Sequence, residues 1–404
     1  MSQEMDKNIV IIGAGFAGMW SALSAARLAF LHHRHDIKVT VIAPQPALCI
    51  RPRLYESNPA ALTSPLLPLF AATDIHFISA SVTHIDNAAH TLSYSDKNGL
   101  DQIQSYDKLI LASGSRINRA SIAGAEAFAF DIDQAVSADR FDNHLQALGS
   151  QPDSVARNTF VVCGGGLTGI ELATELPDRA HAALGAGTNV KVIVVDRGSE
   201  PGSQFGAEMR QIIAQASDEL GVEWRLNSSV EEVRADGVLL SSGEFISSLS
   251  VVLAAGVNAS SLTTQIDAPR DRRGRLHVDD NLKVEGQDDI YATGDVARAA
   301  CDDEGRVALM SCQHAIAQGK FAGNNAAAAL LGITPLPYRQ PGYVTCVDLG
   351  AWGAVFTETW EQNVKAVREE GKGIKRSITH ELILPPAAER EAAFRQADPL
   401  APFV

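Results

Sequence analysis

The chain has no closely spaced pair of cysteines. Its five, Cys49, Cys163, Cys301, Cys312 and Cys346, are odd in number and scattered over 404 residues. That excludes a disulfide framework and a redox-active disulfide between neighbours, and no metal-ligand spacing is present. Long apolar runs are also missing. No stretch of about 18 apolar residues occurs, so nothing is expected to span a bilayer. Positive charge is scarce, with 34 Lys and Arg against 48 Asp and Glu for a net charge of −14. Nucleic acid requires a basic face and an anionic membrane a basic patch, so neither is an expected partner. Met1 to Lys7 is polar and a strand follows at once, so no N-terminal targeting signal is expected and the cytoplasm is the default location. What remains is a globular composition, 46% hydrophobic and 20% charged, in a chain long enough for two or three domains.

Glycine is abundant, and its placement carries the first positive signal. Gly13-Ala-Gly15-Phe16-Ala17-Gly18 follows the strand-like run Ile9 to Ile12, and Gly164-Gly165-Gly166-Leu167-Thr168-Gly169 follows Phe160 to Val162. Helical periodicity comes after each, over Trp20 to Leu31 and Ile170 to Leu184. In such a loop one glycine makes the strand-to-helix turn, a second lets the backbone approach a pyrophosphate, and a third lets helix pack on strand. The helix N-terminus then offers free N–H groups to the phosphates. A third motif, Ile290-Tyr-Ala-Thr-Gly294-Asp295, is of the flavin-binding type. Two fingerprints with this aspartate motif predict two bound dinucleotides with electrons passing between them.

The two halves echo each other further. The strand Lys191 to Val195 ends at Asp196, where a carboxylate holds adenosine ribose hydroxyls. The matching strand Lys38 to Ile42 ends at Ala43-Pro44 and lacks the acid, leaving Gln45 or backbone groups as substitutes. Each half then reads as a small β-meander, with Gly99 and Gly243 in turns, and an apolar strand ending in small residues. Those ends are Ala112-Ser113-Gly114 and Ala254-Ala255-Gly256, which let the chain pass close to a cofactor. The fold class expected is α/β, with two Rossmann-like doubly wound units.

These motifs, together with Arg51-Pro-Arg53-Leu-Tyr-Glu56 and Ser311-Cys-Gln-His-Ala-Ile-Ala-Gln-Gly319, resemble the two-dinucleotide-binding-domain flavoproteins of the pyridine nucleotide-disulfide oxidoreductase superfamily. Type II NADH dehydrogenases and apoptosis-inducing-factor-like quinone reductases are the most similar members. The resemblance covers roughly residues 8 to 330 and implies FAD in residues 1–130 and 248–331, with an NAD(P)H domain, 131–247, inserted. It implies that Asp295 bonds the FAD ribitol, that Arg53 contacts the flavin nucleotide and that Val82 packs on the adenine side. NADH is the expected reductant, because Asp196 would face the 2′-phosphate of NADPH. Arg197, directly after it, leaves some tolerance of NADPH.

Glu171, two residues after Gly169, has two readings. An acid in the first helical turn complements the helix dipole. In the family the matching glutamate faces nicotinamide and flavin and handles a proton, which suits a partly buried carboxylate with a raised pKa. The family also lines its flavin and quinone pocket with A-Q-x-A-x-Q-x-G. Here Gln313, Ala315 and Gly319 match, but the second glutamine position holds Ala317, with Gln318 adjacent. His314 is either a proton donor or a plain helix-face residue.

Residues 332–404 depart most from the family. A strand pair over Tyr343 to Thr357, a helix from Trp360 to Glu370 and a last helix from Pro385 are expected, forming a charged capping or dimerising element. The expected activity is transfer from NADH through FAD to a quinone or similar small-molecule acceptor, with a homodimer as the assembly. Three alternatives remain: a thiol-using sulfide:quinone-type reductase, to which Cys346 has some likeness, a ferredoxin reductase-like enzyme, and an NADH-responsive sensor without turnover.

Overall fold

The computed structural model describes residues 6–96 and 98–401; the polar segment expected to carry no signal lies, for residues 1–5, outside them. Apolar runs buried on both faces form the centre of two sheets, as parallel strands covered by helices require. The first sheet has seven strands, in the order Ile290–Ala292, Lys108–Leu111, Lys7–Ile12, Ile37–Ala43, His76–Asp86, Thr91–Asp96 and Asp101–Ser105. The first five are parallel and the last two antiparallel. The second sheet is parallel throughout: Phe130–Asp131, Ser250–Leu253, Thr159–Cys163, Lys191–Val195 and Val222–Arg225. Its meander, Val230–Arg234, Gly237–Leu240 and Phe245–Ser247, stands apart as a three-stranded sheet.

The chain crosses between the sheets twice, and the two crossings pair with each other. Ser115–Ile117 runs antiparallel to Val257–Ala259. Ser250–Leu253, expected with the FAD unit, therefore lies inside the second sheet, and so does Phe130. The second sheet thus takes in residues on both sides of the expected 131–247 stretch.

Helices of small residues hold the first unit together. Phe16–Leu31 lies against Cys312–Leu331, the helix expected to run from Ser311 to Leu331. Their backbones meet at glycine. A Cβ on Gly319 would sit 2.5 Å from the Ala17 carbonyl oxygen, and one on Gly323 would sit 2.0 Å from that of Ser21.

The tail adds a three-stranded antiparallel sheet, Val344–Asp348, Ala354–Glu358 and Asn363–Val367. The first two strands are the expected pair. The helix expected over Trp360 to Glu370 is instead a turn and a third strand, with the helix at Arg368–Ser377. Left-handed backbone at Thr359 and Gln362 breaks any helix there and turns the hairpin. The last helix, Arg390–Gln396, begins later than Pro385. Phe394 meets Phe30 of the first fingerprint helix, and Arg27 pairs with Asp398.

The glycine contacts can be tested by one methyl group. Gly323→Ala should cost about 1–3 kcal/mol, because two packed backbones must part. Gly373→Ala, exposed on the tail helix with open space around it, should add about 0.5–1 kcal/mol. Chemical denaturation of the two variants gives opposite signs if the contact is as described.

Candidate active site

Both fingerprints fold into the same trap for an anion. Gly13 (φ +110°) and Gly164 (φ +115°) turn the chain in backbone that favours glycine. A Cβ on Gly18 would lie 1.9 Å from the Gly13 oxygen, and one on Gly169 would lie 1.9 Å from the Gly164 oxygen. Those glycines close helix onto strand. Gly15 and Gly166, by contrast, have nothing within 4 Å of where a Cβ would be. Each is the N-cap of its helix, without a side-chain cap or an acid in the first turn. Unpaired N–H groups thus face open space at a helix N-terminus, which suits a pyrophosphate.

The surroundings of the first loop fit FAD. Ala112 packs over Gly13 and Gly18, and Ala17 and Ala315 close on Gly294, whose φ is +67°. The hydroxyls of Ser113 and Thr293, both beside this loop, are buried with no hydrogen-bond partner. Orphaned hydroxyls at such a place match the polar atoms of a nucleotide. Asp295 accepts a hydrogen bond from Ser115 Oγ at 2.6 Å and lies 3.4 Å from Arg51 Nη1. Arg51 also bridges to Asp133. Arg53, the residue singled out from the motif, is paired instead with Glu56 at 2.7 Å. The guanidinium at the aspartate motif is therefore that of Arg51. Val82, half-buried, packs into the first unit's core opposite Tyr94. Ala43 is buried at the end of its strand, and Gln45 beyond it is exposed.

In the second loop Asp196 acts as a tie. Its carboxylate accepts the Gly165 N–H and the Gly198 N–H, each at 2.7 Å, and so ties the phosphate loop to the end of the strand. Trp224 crowds Gly165 from the other side. Arg197 is exposed and Gly256 (φ +83°) has open space around it.

Glu171 is not in the first turn of its helix, which begins at Leu167, so the dipole reading does not apply. The carboxylate is 2% exposed. Its Oε1 accepts from Lys375 Nζ at 2.6 Å and from the Asp348 N–H at 3.1 Å. Burial pushes Glu171 above the usual carboxylate range, against the pull of Lys375. For Lys375 burial acts downward, but the Glu171 carboxylate outweighs it and holds the ammonium protonated. Asp348 in turn accepts from Lys372 Nζ at 2.6 Å and from Tyr55 OH at 3.1 Å. The Tyr55 carbonyl accepts from Arg179 of the Glu171 helix at 2.6 Å. The flavin-unit loop, the second fingerprint helix and the tail thus converge on one buried acid.

Gln313 is half-buried, and Gln340 Nε2 lies 3.5 Å from its carbonyl oxygen. Gln318 does not mimic the missing family glutamine at position 317. Its Oε1 accepts the Gly294 N–H at 2.7 Å and so fixes the turn that carries Asp295. Among the described residues no metal-binding group of side chains occurs, and all five cysteines are free. Burial raises each of their thiols, Cys312 to about 11 and Cys163 and Cys346 to about 12.

Sequence reasoning missed Arg51, Asp133, Tyr55, Asp348 and Lys375. Arg51 stands two residues from the arginine chosen, within the same motif. Lys375 sits among charged residues of a surface-like helix and gives no local signal.

Known proteins resemble this chain in sequence and in fold. An NADH dehydrogenase-like protein of Mycobacterium tuberculosis is 42% identical over 94% of this chain and 94% of its own length. Demethylphylloquinone reductase of Synechocystis is 26% identical, over 86% of each chain. The fold of NDH2 from Plasmodium falciparum, solved in complex with NADH, covers 97% of both chains with a TM-score of 0.79 at 14% identity. No helix among the described residues is long and apolar enough to cross a membrane. Residues 7–319 match the pyridine nucleotide-disulphide oxidoreductase family, and the chain belongs to that family.

Proposed function

We propose that this protein is an FAD-dependent oxidoreductase that oxidises NADH and reduces a quinone. The observation that carries the reading is the buried Glu171–Lys375 pair, set where the second fingerprint helix meets the flavin unit and the tail. The family match over both fingerprints and the relatives named for NADH dehydrogenase and demethylphylloquinone reduction support it. Gly13, Gly15, Gly18, Ser113, Thr293, Asp295 and Arg51 would hold FAD. Gly164, Gly166, Gly169 and Asp196 would hold NADH. The chemistry that FAD supplies when bound is two-electron transfer, from NADH to the acceptor.

The overall reaction, NADH + H⁺ + quinone → NAD⁺ + quinol, consumes one proton. Lys375 Nζ, kept charged by Glu171, is a buried proton store beside the site, and Glu171 Oε1 is its acceptor. The tail covers this pair from bulk water. A thiol mechanism has little support, because every cysteine is held protonated by burial and a thiol is a weak nucleophile. A cytoplasmic location and a homodimer, both expected from the sequence, stay part of the proposal. Light scattering of the purified protein checks the second.

Anaerobic stopped-flow spectroscopy tests the proposal directly. NADH should bleach the flavin absorbance and a quinone should restore it. Acid precipitation should release all the FAD, since nothing in the site calls for a covalent link. A colourless protein that takes up no FAD would overturn the reading.

Asp196→Ser removes two charge-assisted bonds to the phosphate loop as well as the ribose acceptor. The kcat/KM for NADH should fall about 10–100-fold. That for NADPH should fall less, because the repelled 2′-phosphate loses its opponent. Parallel steady-state assays with the two cofactors give the ratio.

Lys375→Met removes the charge that opposes the effect of burial on Glu171. Proton affinity of the carboxyl then rises, so any limb of the kcat pH profile due to Glu171 should move to higher pH. Lys375→Arg should keep it near its original place. A profile unchanged in the methionine variant would separate Glu171 from proton handling.

A further inference from the structure

The loop after the second strand of the first unit is built into the other unit. Arg51–Arg53 opens it. Leu54, Tyr55 and Leu62 are buried in one apolar cluster with Ile132, Phe141 and Leu172 of the second unit. The Tyr55 carbonyl oxygen accepts from Arg179, which also pairs with Asp142 at 2.8 Å. At the head of the loop Arg51 reaches in two directions. Its Nε donates to the Asp133 carbonyl oxygen at 3.1 Å, and its Nη2 donates to the Asp133 carboxylate. Its Nη1 donates to Ser115 Oγ at 3.3 Å and to Asp295 Oδ2 at 3.4 Å.

The two ends are anchored unequally. Asp133 lies just after the strand Phe130–Asp131 of the second sheet and is set there by its neighbours. Its N–H donates to Asp131 Oδ1 at 3.1 Å, and its Oδ2 accepts from Gln134 Nε2 at 2.9 Å. The Asp133 side chain is 7% exposed, so a bond from a guanidinium is strong there. The hold on Asp295 is a longer contact. Both partners of Asp295, Ser115 and Arg51, fall on Oδ2, and Oδ1 makes no hydrogen bond among the described residues. A guanidinium can close on both oxygens of a carboxylate at once. Arg51 does not do so here, because two of its three nitrogens are committed to Asp133.

We propose that Asp133 is a positioning residue for FAD: it restrains Arg51, so that Asp295 keeps one carboxylate oxygen open for a hydroxyl of the cofactor. This inference rests on the reading of the first loop and the aspartate motif as the FAD site. Without Asp133, Arg51 turns onto Asp295 and pairs with both oxygens, in competition with the cofactor. Restrained, it supports Asp295 through Oδ2 alone. The second unit thereby takes part in holding FAD, through a residue that belongs to neither glycine loop and not to the aspartate motif.

A double-mutant cycle on the holoenzyme tests this. FAD release on serial dilution, read as the rise of flavin fluorescence, gives the Kd. Asp133→Ala should raise it about tenfold, the size of one charge-assisted hydrogen bond lost to the cofactor. Asp133→Asn, which keeps the shape and an acceptor for Arg51, should raise it less. In an Arg51→Met background the same Asp133→Ala change should shift the Kd by no more than about twofold, because no guanidinium is left to turn onto Asp295. Far-UV circular dichroism and the urea midpoint report whether each variant keeps its fold; if Asp133→Ala does not, the cycle is run with Asp133→Asn. A Kd that rises equally in the two backgrounds would make Asp133 a merely structural residue and overturn the inference. So would a Kd unchanged by the loss of Asp133. In both cases FAD on the wild type leaves the flavoprotein reading standing. A wild type that takes up no FAD would remove that reading and the inference with it.

Discussion

A carboxylate taken almost wholly out of water must be neutralised or matched by charge, and the cost of leaving it alone is several kcal/mol or more. Glu171 imposes that condition on this fold. Its helix also carries the second phosphate loop at its start, so the acid is placed by the same glycine geometry that places the nucleotide. The match comes from Lys375, 204 residues away in sequence. For it to arrive, the tail must fold back over the gap between the two units. Asp348 then receives Lys372 and Tyr55, and Tyr55 receives Arg179. Each contact places one more unit relative to the others.

The two nucleotide loops show how the same local solution is supported differently. Both close helix onto strand through glycines whose side chains would collide with backbone. In the second unit a carboxylate, Asp196, ties the loop to the end of its strand. In the first unit the corresponding place is taken by buried Ala43, and polar support comes from the far end of the chain. There Gln318 fixes Gly294, and Arg51 with Ser115 engages Asp295. The first loop is thus held from the aspartate motif rather than from the end of its second strand.

Close contact of the helices Phe16–Leu31 and Cys312–Leu331 joins these features. Glycine at 319 and 323 lets the backbones touch, and this sets where Gln313, His314 and Gln318 stand relative to the first loop. A helix held farther away would not reach the Gly294 N–H. These side chains therefore depend on the same small-residue contact as the turn at Gly294.

Much of this was legible in the sequence. The α/β class, the two fingerprints, the meanders, the helix beginning at Ser311 and the strand pair in the tail all depend on local rules: an apolar strand before a glycine turn, a serine cap, alternation along a strand. Such rules act over a few residues, and the chain obeys them wherever nothing distant competes. Other features were settled only by tertiary structure. Ser250–Leu253 belongs to the second sheet because Thr159–Cys163 is there to pair with it, and the segment after Trp360 is a strand because Ala354–Glu358 offers an edge. Arg51 rather than Arg53 reaches Asp295, since a single turn at Arg51–Arg53 sends the two guanidiniums to different partners. No neighbour of Lys375 in sequence marks it as buried. Its partner, its burial and its charge come from a packing of segments far apart in the chain, and electrostatic energy depends on distance in space, on which sequence separation has no bearing.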